Sequence, residues 1–420
     1  MNRPVAFALY SIFTLIFLSA VCDDPPTNVD TADPSANVDS LDDTIPTTMT
    51  QEHIPWPSLA DTPWPMYRHD PQGTGRSQYV GPQLGEIALA FTDSNYSEGS
   101  IAIGDSGILY FTSEHYIGSH LYAVSPAGQI RWKRLLDSPS GNKVENPYTP
   151  TITSADIIYV PTWQRDHYKI HAIRTDGSEH QTYQLDDALY SNIIPDLQGN
   201  LYFISNNPRR LTSITSDGTL LWETSVPGEF HNGPSPAVFS PDGSTLYSGG
   251  GDSLYAITTT GVILWGYWTE RYVWYSIVDN NGNIYFYNPG DSSITSLNPS
   301  GEVNWRTYIS ARMDAPTIDK DGNLYFSSDD GIISLKGLDG SLRWTLDVGA
   351  QTGLGCDANS NLYFGGYSTL YCASPEGALL WQVEAPEGVR YFVNGPAIGA
   401  GGVTYFSVWA NPLWQVVGVK

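Results

Sequence analysis

Few residues of this 420-residue chain stand in patterns that perform chemistry. Its three cysteines, Cys22, Cys356 and Cys372, form no C-x-x-C-H haem motif, and no H-E-x-x-H, G-x-S-x-G or phosphate-cradling glycine loop occurs. Asp279-Asn-Asn-Gly-Asn283 and Asp319-Lys-Asp-Gly-Asn323 open like calcium loops but lack the further ligands and the closing Glu, so they read as hairpin turns. The eight histidines show no ligand spacing, His115, His120, His167 and His171 included. No catalytic residue, cofactor ligand or metal ligand is therefore assigned. What remains is recognition chemistry. The run Gly266-Tyr-Trp-Thr-Glu-Arg-Tyr-Val-Trp-Tyr275 carries more aromatics than one strand needs to fill a core, and aromatics with Arg are the residue types that anchor interfaces. Candidate ligand-face residues are His231, Trp268, Arg271, Tyr272, Trp274, Arg312, Asp314, Arg390 and Tyr391. Among them Arg271, Arg312 and Arg390, on separate repeats, are expected to converge on an anionic group.

Those residues need a scaffold, and internal periodicity supplies one. A Gly-x-x-x-Trp element recurs at Trp132, Trp222, Trp265, Trp305, Trp344 and Trp381, with a copy at Gly177 that has Gln181 in place of Trp. The copies lie 37 to 49 residues apart. A second strand repeats as Leu109-Tyr-Phe, Leu201-Tyr-Phe, Ile284-Tyr-Phe, Leu324-Tyr-Phe and Leu362-Tyr-Phe, several copies following an Asn-Gly or Asp-Gly turn. Each unit is a four-stranded antiparallel meander, and radial packing about an axis covers its faces. The recurrent Trp offers a flat surface for the neighbouring sheet. Residues Gly395 to Lys420 give only three strands, and the missing outer strand is available at Gly85 to Phe91. The reading is all-β: an eight-bladed β-propeller of four-stranded blades, its ring closed by the N-terminal strand joining the C-terminal blade.

The units Ala123-Val-Ser-Pro-Ala-Gly-Gln-Ile-Arg-Trp132, Ser213-Ile-Thr-Ser-Asp-Gly-Thr-Leu-Leu-Trp222 and Ala256-Ile-Thr-Thr-Thr-Gly-Val-Ile-Leu-Trp265 resemble the tryptophan-docking repeat of pyrroloquinoline-quinone-like (PQQ-like) propellers. The lead-in Trp64-Pro-Met-Tyr-Arg-His-Asp-Pro-Gln-Gly-Thr-Gly75 resembles that of exported members. The resemblance covers residues 64 to 420. It implies the fold; function varies within the family, from quinone-dependent dehydrogenases to assembly proteins. Dehydrogenase members hold the quinone with calcium or a lanthanide in the propeller funnel, with an Asp base and usually a vicinal Cys pair. This chain has no adjacent cysteines: Cys356 and Cys372 fall on the first and third strands of one blade, about two strand spacings of ~4.8 Å apart, beyond disulfide reach.

Composition sorts the partners. With 20 Lys and Arg against 44 Asp and Glu, the charge is −24, which argues against nucleic acid. Residues 22–62 hold nine acids and no base, leaving 35 acids against 19 bases, about −16, in residues 63–420. Met1-Asn2-Arg3 and the apolar run Val5 to Val21 read as an export signal over residues 1–22, an uncleaved anchor being the alternative. Leu18-Ser-Ala-Val-Cys22 resembles a lipobox, with Ser19 and Val21 off its usual pattern, so Cys22 is the lipidation candidate. Residues 23–62 are expected to be a disordered acidic linker, and 63–420 the propeller. The function expected is a non-catalytic binding or scaffold protein of the cell envelope or extracellular space, monomeric. It would hold an envelope or extracellular protein, or a small ligand or glycan, on the propeller face. The alternative is a PQQ-dependent dehydrogenase, with Ca, acting on an alcohol or sugar.

Overall fold

The computed structural model describes residues 49–93, 99–113, 119–137, 148–164, 167–206, 209–227, 236–271, 273–312, 314–392, 394–410 and 413–420. The export signal, Cys22 and linker residues 23–48 lie outside them. Eight antiparallel sheets follow one another around an axis. Blade 1 runs from Ala102–Ile103 to Ile130–Asp137, blade 2 from Thr151–Ile152 to Glu179–Leu185, and blade 3 from Ile194–Pro195 to Leu220–Ser225. Blade 4 runs from Val238–Phe239 to Ile263–Trp268, blade 5 from Ser276–Val278 to Val303–Tyr308, blade 6 from Thr317–Ile318 to Leu342–Asp347, and blade 7 from Gly355–Cys356 to Leu379–Glu384. Each has four strands in chain order from the axis outward. Blade 8 takes Ala397–Ile398, Thr404–Ala410 and Leu413–Val419 from the C-terminus, and Ile87–Asp93 supplies its outer strand, paired Ala90 to Val417 and Phe91 to Val416. A short extra strand, Tyr391–Phe392, pairs the far end of Thr404–Ala410. Closure by both termini, expected from sequence, pairs the N-terminal strand with the C-terminal one and ties the ends of the ring together.

The core lies between blades, and strand alternation decides who faces whom. Tyr247 of blade 4 packs with Val278 and Phe286 of blade 5; Tyr285 of blade 5 packs with Ile318 and Phe326 of blade 6. The Tyr and Phe of each Leu-Tyr-Phe strand thus serve opposite interfaces. The half-buried tryptophans clamp the same interfaces at the rim. Each donates Nε1–H to a carbonyl in the following turn: Trp132 to Thr175 (3.0 Å), Trp222 to Thr259 (2.8 Å), Trp265 to Pro299 (2.9 Å), Trp305 to Gly337 (2.8 Å), Trp344 to Pro375 (2.9 Å) and Trp381 to Pro82 (3.2 Å). The glycine of each next Gly-x-x-x-Trp element lies flat on that ring. A Cβ on Gly377, for example, would stand 2.7 Å from Trp344 Cδ2. Blade 2 solves the missing Trp differently. Gln181 donates Nε2–H to Asp217 (3.1 Å), and Tyr183, two residues on, supplies the ring beneath Gly218.

The acidic turns are structural. Asp319 accepts from the Asp321 and Asn323 amides at 2.9 and 2.8 Å, from the Asn323 side chain at 2.9 Å and from the Tyr325 hydroxyl at 2.6 Å, and Asp279 repeats the pattern with Asn281, Asn283 and Tyr285. Every carboxylate lone pair is used to fix the hairpin to the tyrosine beneath it. Cys356 and Cys372 occupy the first and third strands of blade 7 as read from sequence, both buried and unbridged.

Residues 49–62, assigned by composition to the linker, are seated on the propeller. Trp56 is buried against Phe239 and donates to the Pro195 carbonyl (2.9 Å), Leu59 is buried beside it, and Arg76 holds the Gln51 and Glu52 carbonyls at 2.7 and 2.8 Å. The sparse apolar residues of this stretch are enough to dock it because the propeller supplies the other half of the core.

Candidate functional site

In an antiparallel meander the loops between blades and those joining second to third strands share one face, and the two hairpin turns of each blade share the other. The lead-in seals the axis at the turn face. Residues 64–77 pass along the ends of the inner strands: Trp64 bridges Ile103 of blade 1, and the carbonyls of Pro65, Pro71, Gln72, Thr74 and Gly75 accept from Ile152, Phe239, Val278, Ile318 and Cys356. The chain then leaves past blade 7, where the Gly81 amide donates to Asp357 (2.9 Å), and enters blade 8.

On the axis this segment places Arg68, only 6% exposed, which donates Nη1 to the Leu354 carbonyl and Nη2 to the Pro316 carbonyl. Arg68 and His69 both adopt the left-handed backbone region, φ 63° and 75°. Beside them Asp70 accepts from the Thr74 amide (2.9 Å) and hydroxyl and faces His69 Nδ1 at 3.3 Å. Burial pushes its carboxyl upward, but the hydrogen bonds from His69 and Thr74 outweigh that and hold it below the ordinary range. Above the plug, facing the loop side, lies a recess lined by Trp64, Tyr67, Arg68, Ser100, Tyr275 and Asp314, together with backbone before the inner strands of blades 6, 7 and 8. Tyr67 and Tyr275 lie side by side, their ring centroids 6.3 Å apart, and burial pushes both phenols up.

Of the residues singled out from sequence, His231 and Tyr272 lie outside the described residues, and Tyr391 sits in the short extra strand. Trp268 ends the outer strand of blade 4 and is 63% exposed; Tyr308 ends that of blade 5 in the matching register, opposite Ser293 as Trp268 is opposite Ser253, and is 71% exposed. Trp274 is half-buried and Arg271 exposed between blades 4 and 5. The expected convergence of the three arginines is not seen: Arg271 is exposed between blades 4 and 5, and the other two are engaged separately. Arg312 pairs with Asp314 (2.9 Å) and Asp329 (3.4 Å), and Arg390 lies over the Trp409 ring at 5.7 Å. Asp314 is pushed up by burial against the opposing pull of Arg312. Sequence reasoning missed Arg68, Ser100 and Tyr67. The Trp64–Gly75 lead-in that carries two of them was visible, but its path along the axis was not. Among the described residues no group of three or more His, Cys, Asp or Glu is arranged to hold a metal ion.

Residues 209–355, from the third strand of blade 3 to the start of blade 7, match the family model PQQ_2, described as "Outer membrane protein assembly factor BamB". The chain carries PQQ-like propeller repeats. Among solved structures it is similar to BamB from Moraxella catarrhalis, at 13% identity and TM-score 0.57, over 80% of this chain and 99% of that one. It is also similar to virginiamycin B lyase from Staphylococcus aureus, at 16% identity and TM-score 0.50, over 80% and 99%. At these identities the likeness is one of fold. No curated protein matches the sequence. The six tryptophans named from sequence, four of them (Trp222, Trp265, Trp305 and Trp344) within the matched residues, are the interblade clamps described above.

Proposed function

We propose that this chain is a non-catalytic binding module of the cell envelope or extracellular space that holds a protein partner on its loop face. The observation that carries the reading is the plug. Residues 64–77 fill the axis at the turn face, and Trp64, Tyr67 and Arg68 of this segment line the recess that is left above it. The recess that remains is lined by a single cation, Arg68, and a single acid, Asp314, too few charged groups to hold a polycarboxylate quinone together with its metal. Outside the recess the loop face offers Trp268 and Tyr308 on adjacent blades, large aromatics left in water with no core to fill. The family description as an outer membrane assembly factor favours the same class.

An export signal and acylation at Cys22 would put that face at a membrane, with residues between the lipid and the propeller as spacer. The test is co-purification from gently solubilised membranes, comparing the parent chain with Trp268→Ala/Tyr308→Ala. Envelope proteins recovered with the parent and lost with the double variant support the reading. The second reading, a PQQ-dependent dehydrogenase, rests on the shared repeat; tight binding of PQQ with calcium, accompanied by dye-linked turnover on an alcohol or sugar, would replace the first with it.

A further inference from the structure

We infer that the axial recess above the plug is a binding site for a single carboxylate group, with Arg68 as its cation and the Ser100 hydroxyl as a second donor. Arg68 is buried at the centre of the ring, and its Nε, although enclosed, has no hydrogen-bond partner; the same holds for the Ser100 Oγ. Both residues line the same recess. An enclosed guanidinium with one N–H unpartnered and no carboxylate bonded to it is costly, and native proteins retain such a group where it serves a ligand or a contact that needs it. The acids nearby are engaged elsewhere: Asp314 is held by Arg312, and Asp70 by Thr74 and His69.

The backbone is built around this side chain. Two successive non-glycine residues, Arg68 and His69, are held in the left-handed region, a strain that persists only where surroundings enforce it. Gly75 leaves the room, since a Cβ there would run into the Arg68 guanidinium, the Nη1 atom standing 2.9 Å away. The recess opens on the loop face and is walled by Tyr67, Tyr275 and the backbone of Gly353 and Gly395, so it admits a narrow planar group rather than a bulky one. A carboxylate satisfies one N–H donor and one O–H donor together, in the charge-assisted geometry guanidinium favours. Two sources present that group: a small free acid, or the C-terminus of a peptide.

The full chain is titrated calorimetrically, at constant ionic strength, with sodium acetate, with triglycine, and with triglycine amide. Saturable binding of acetate or triglycine, with the amide silent, is expected. Acetate binding as well as triglycine identifies a free acid, and triglycine binding tighter identifies a chain terminus. Ser100→Ala should weaken binding about three- to tenfold and Arg68→Lys about tenfold or more, with urea midpoints of Ser100→Ala and parent equal. Because Arg68 also ties down the plug, Ser100→Ala decides if the Arg68 variant fails to fold. No saturable heat from either acid, equal binding of the amide, or parent-like binding by Ser100→Ala would overturn the inference. It stands apart from the protein-partner reading, and neither test depends on the other.

Discussion

The clamp between blades makes a quantitative prediction at Gly377. This glycine lies in the outer turn of blade 7 at φ +87°, where an added Cβ would meet Trp344 Cδ2 at 2.7 Å and Cε2 and Cε3 at 3.0 Å. The ring is not free to swing aside, because its Nε1–H is bonded to Pro375 in the same turn and Tyr325 packs against it with centroids 5.7 Å apart. Gly388 is the control, at φ +91° with nothing within 4 Å of its Cβ position. Gly388→Ala therefore exposes the backbone penalty alone, about 1–2 kcal/mol, partly offset by the stiffer unfolded chain. Gly377→Ala adds an overpacking cost of about 1–3 kcal/mol. Urea denaturation should rank Gly377→Ala below Gly388→Ala by that second amount, and in a Trp344→Ala background the gap should close as a coupling energy. Equal costs for the two glycines, or an unchanged gap without Trp344, would refute the idea that the glycine is kept for the ring.

In blade 2, Tyr183→Ala should destabilise by about 3 kcal/mol, as loss of a docking aromatic would, while Gln181→Ala should cost about 1 kcal/mol or less, both read from urea midpoints. Removing the buried acceptor by Asp319→Ala, which leaves Tyr325 and two amides without their partner, should cost about 3 kcal/mol, and added calcium should leave the parent's melting temperature unchanged. Burial pushes the Cys356 and Cys372 thiols up to about 12, so a thiol reagent at pH 8 should label neither until the chain unfolds. Because these folded-state values are raised above that of an unfolded thiol, their contribution to stability is complete below about pH 9 and is lost as pH climbs toward 12. Alkaline melts should fall across that window, and Cys356→Ala should fall less.

Much of the ring was readable because its partners repeat locally. Each docking Trp, its following glycine and the Leu-Tyr-Phe strand recur at short spacing, and the orphan strand at Gly85 to Phe91 matched a gap at the C-terminus. The substitute in blade 2 was not readable: Gln181 stood out as a break, yet that Tyr183 takes over the ring depends on strand register. The axial site was hidden for a stronger reason. Arg68 meets carbonyls 286 and 248 residues away, and no local pattern encodes a chain that crosses the ends of blades before the ring exists. Likewise the end of the acidic stretch reads as linker, because Trp56 and Leu59 find their core only on the assembled blades 3 and 4.

The face that meets the partner is open to direct test. A photo-crosslinking phenylalanine in place of Trp268 or Tyr308, and in a third variant in place of Asp217 in the outer turn of blade 3 on the opposite face, tests it in intact cells. Crosslinks to envelope proteins from positions 268 and 308, with none from 217, are the predicted result. Crosslinks from 217 alone, or none from either aromatic position, would contradict it.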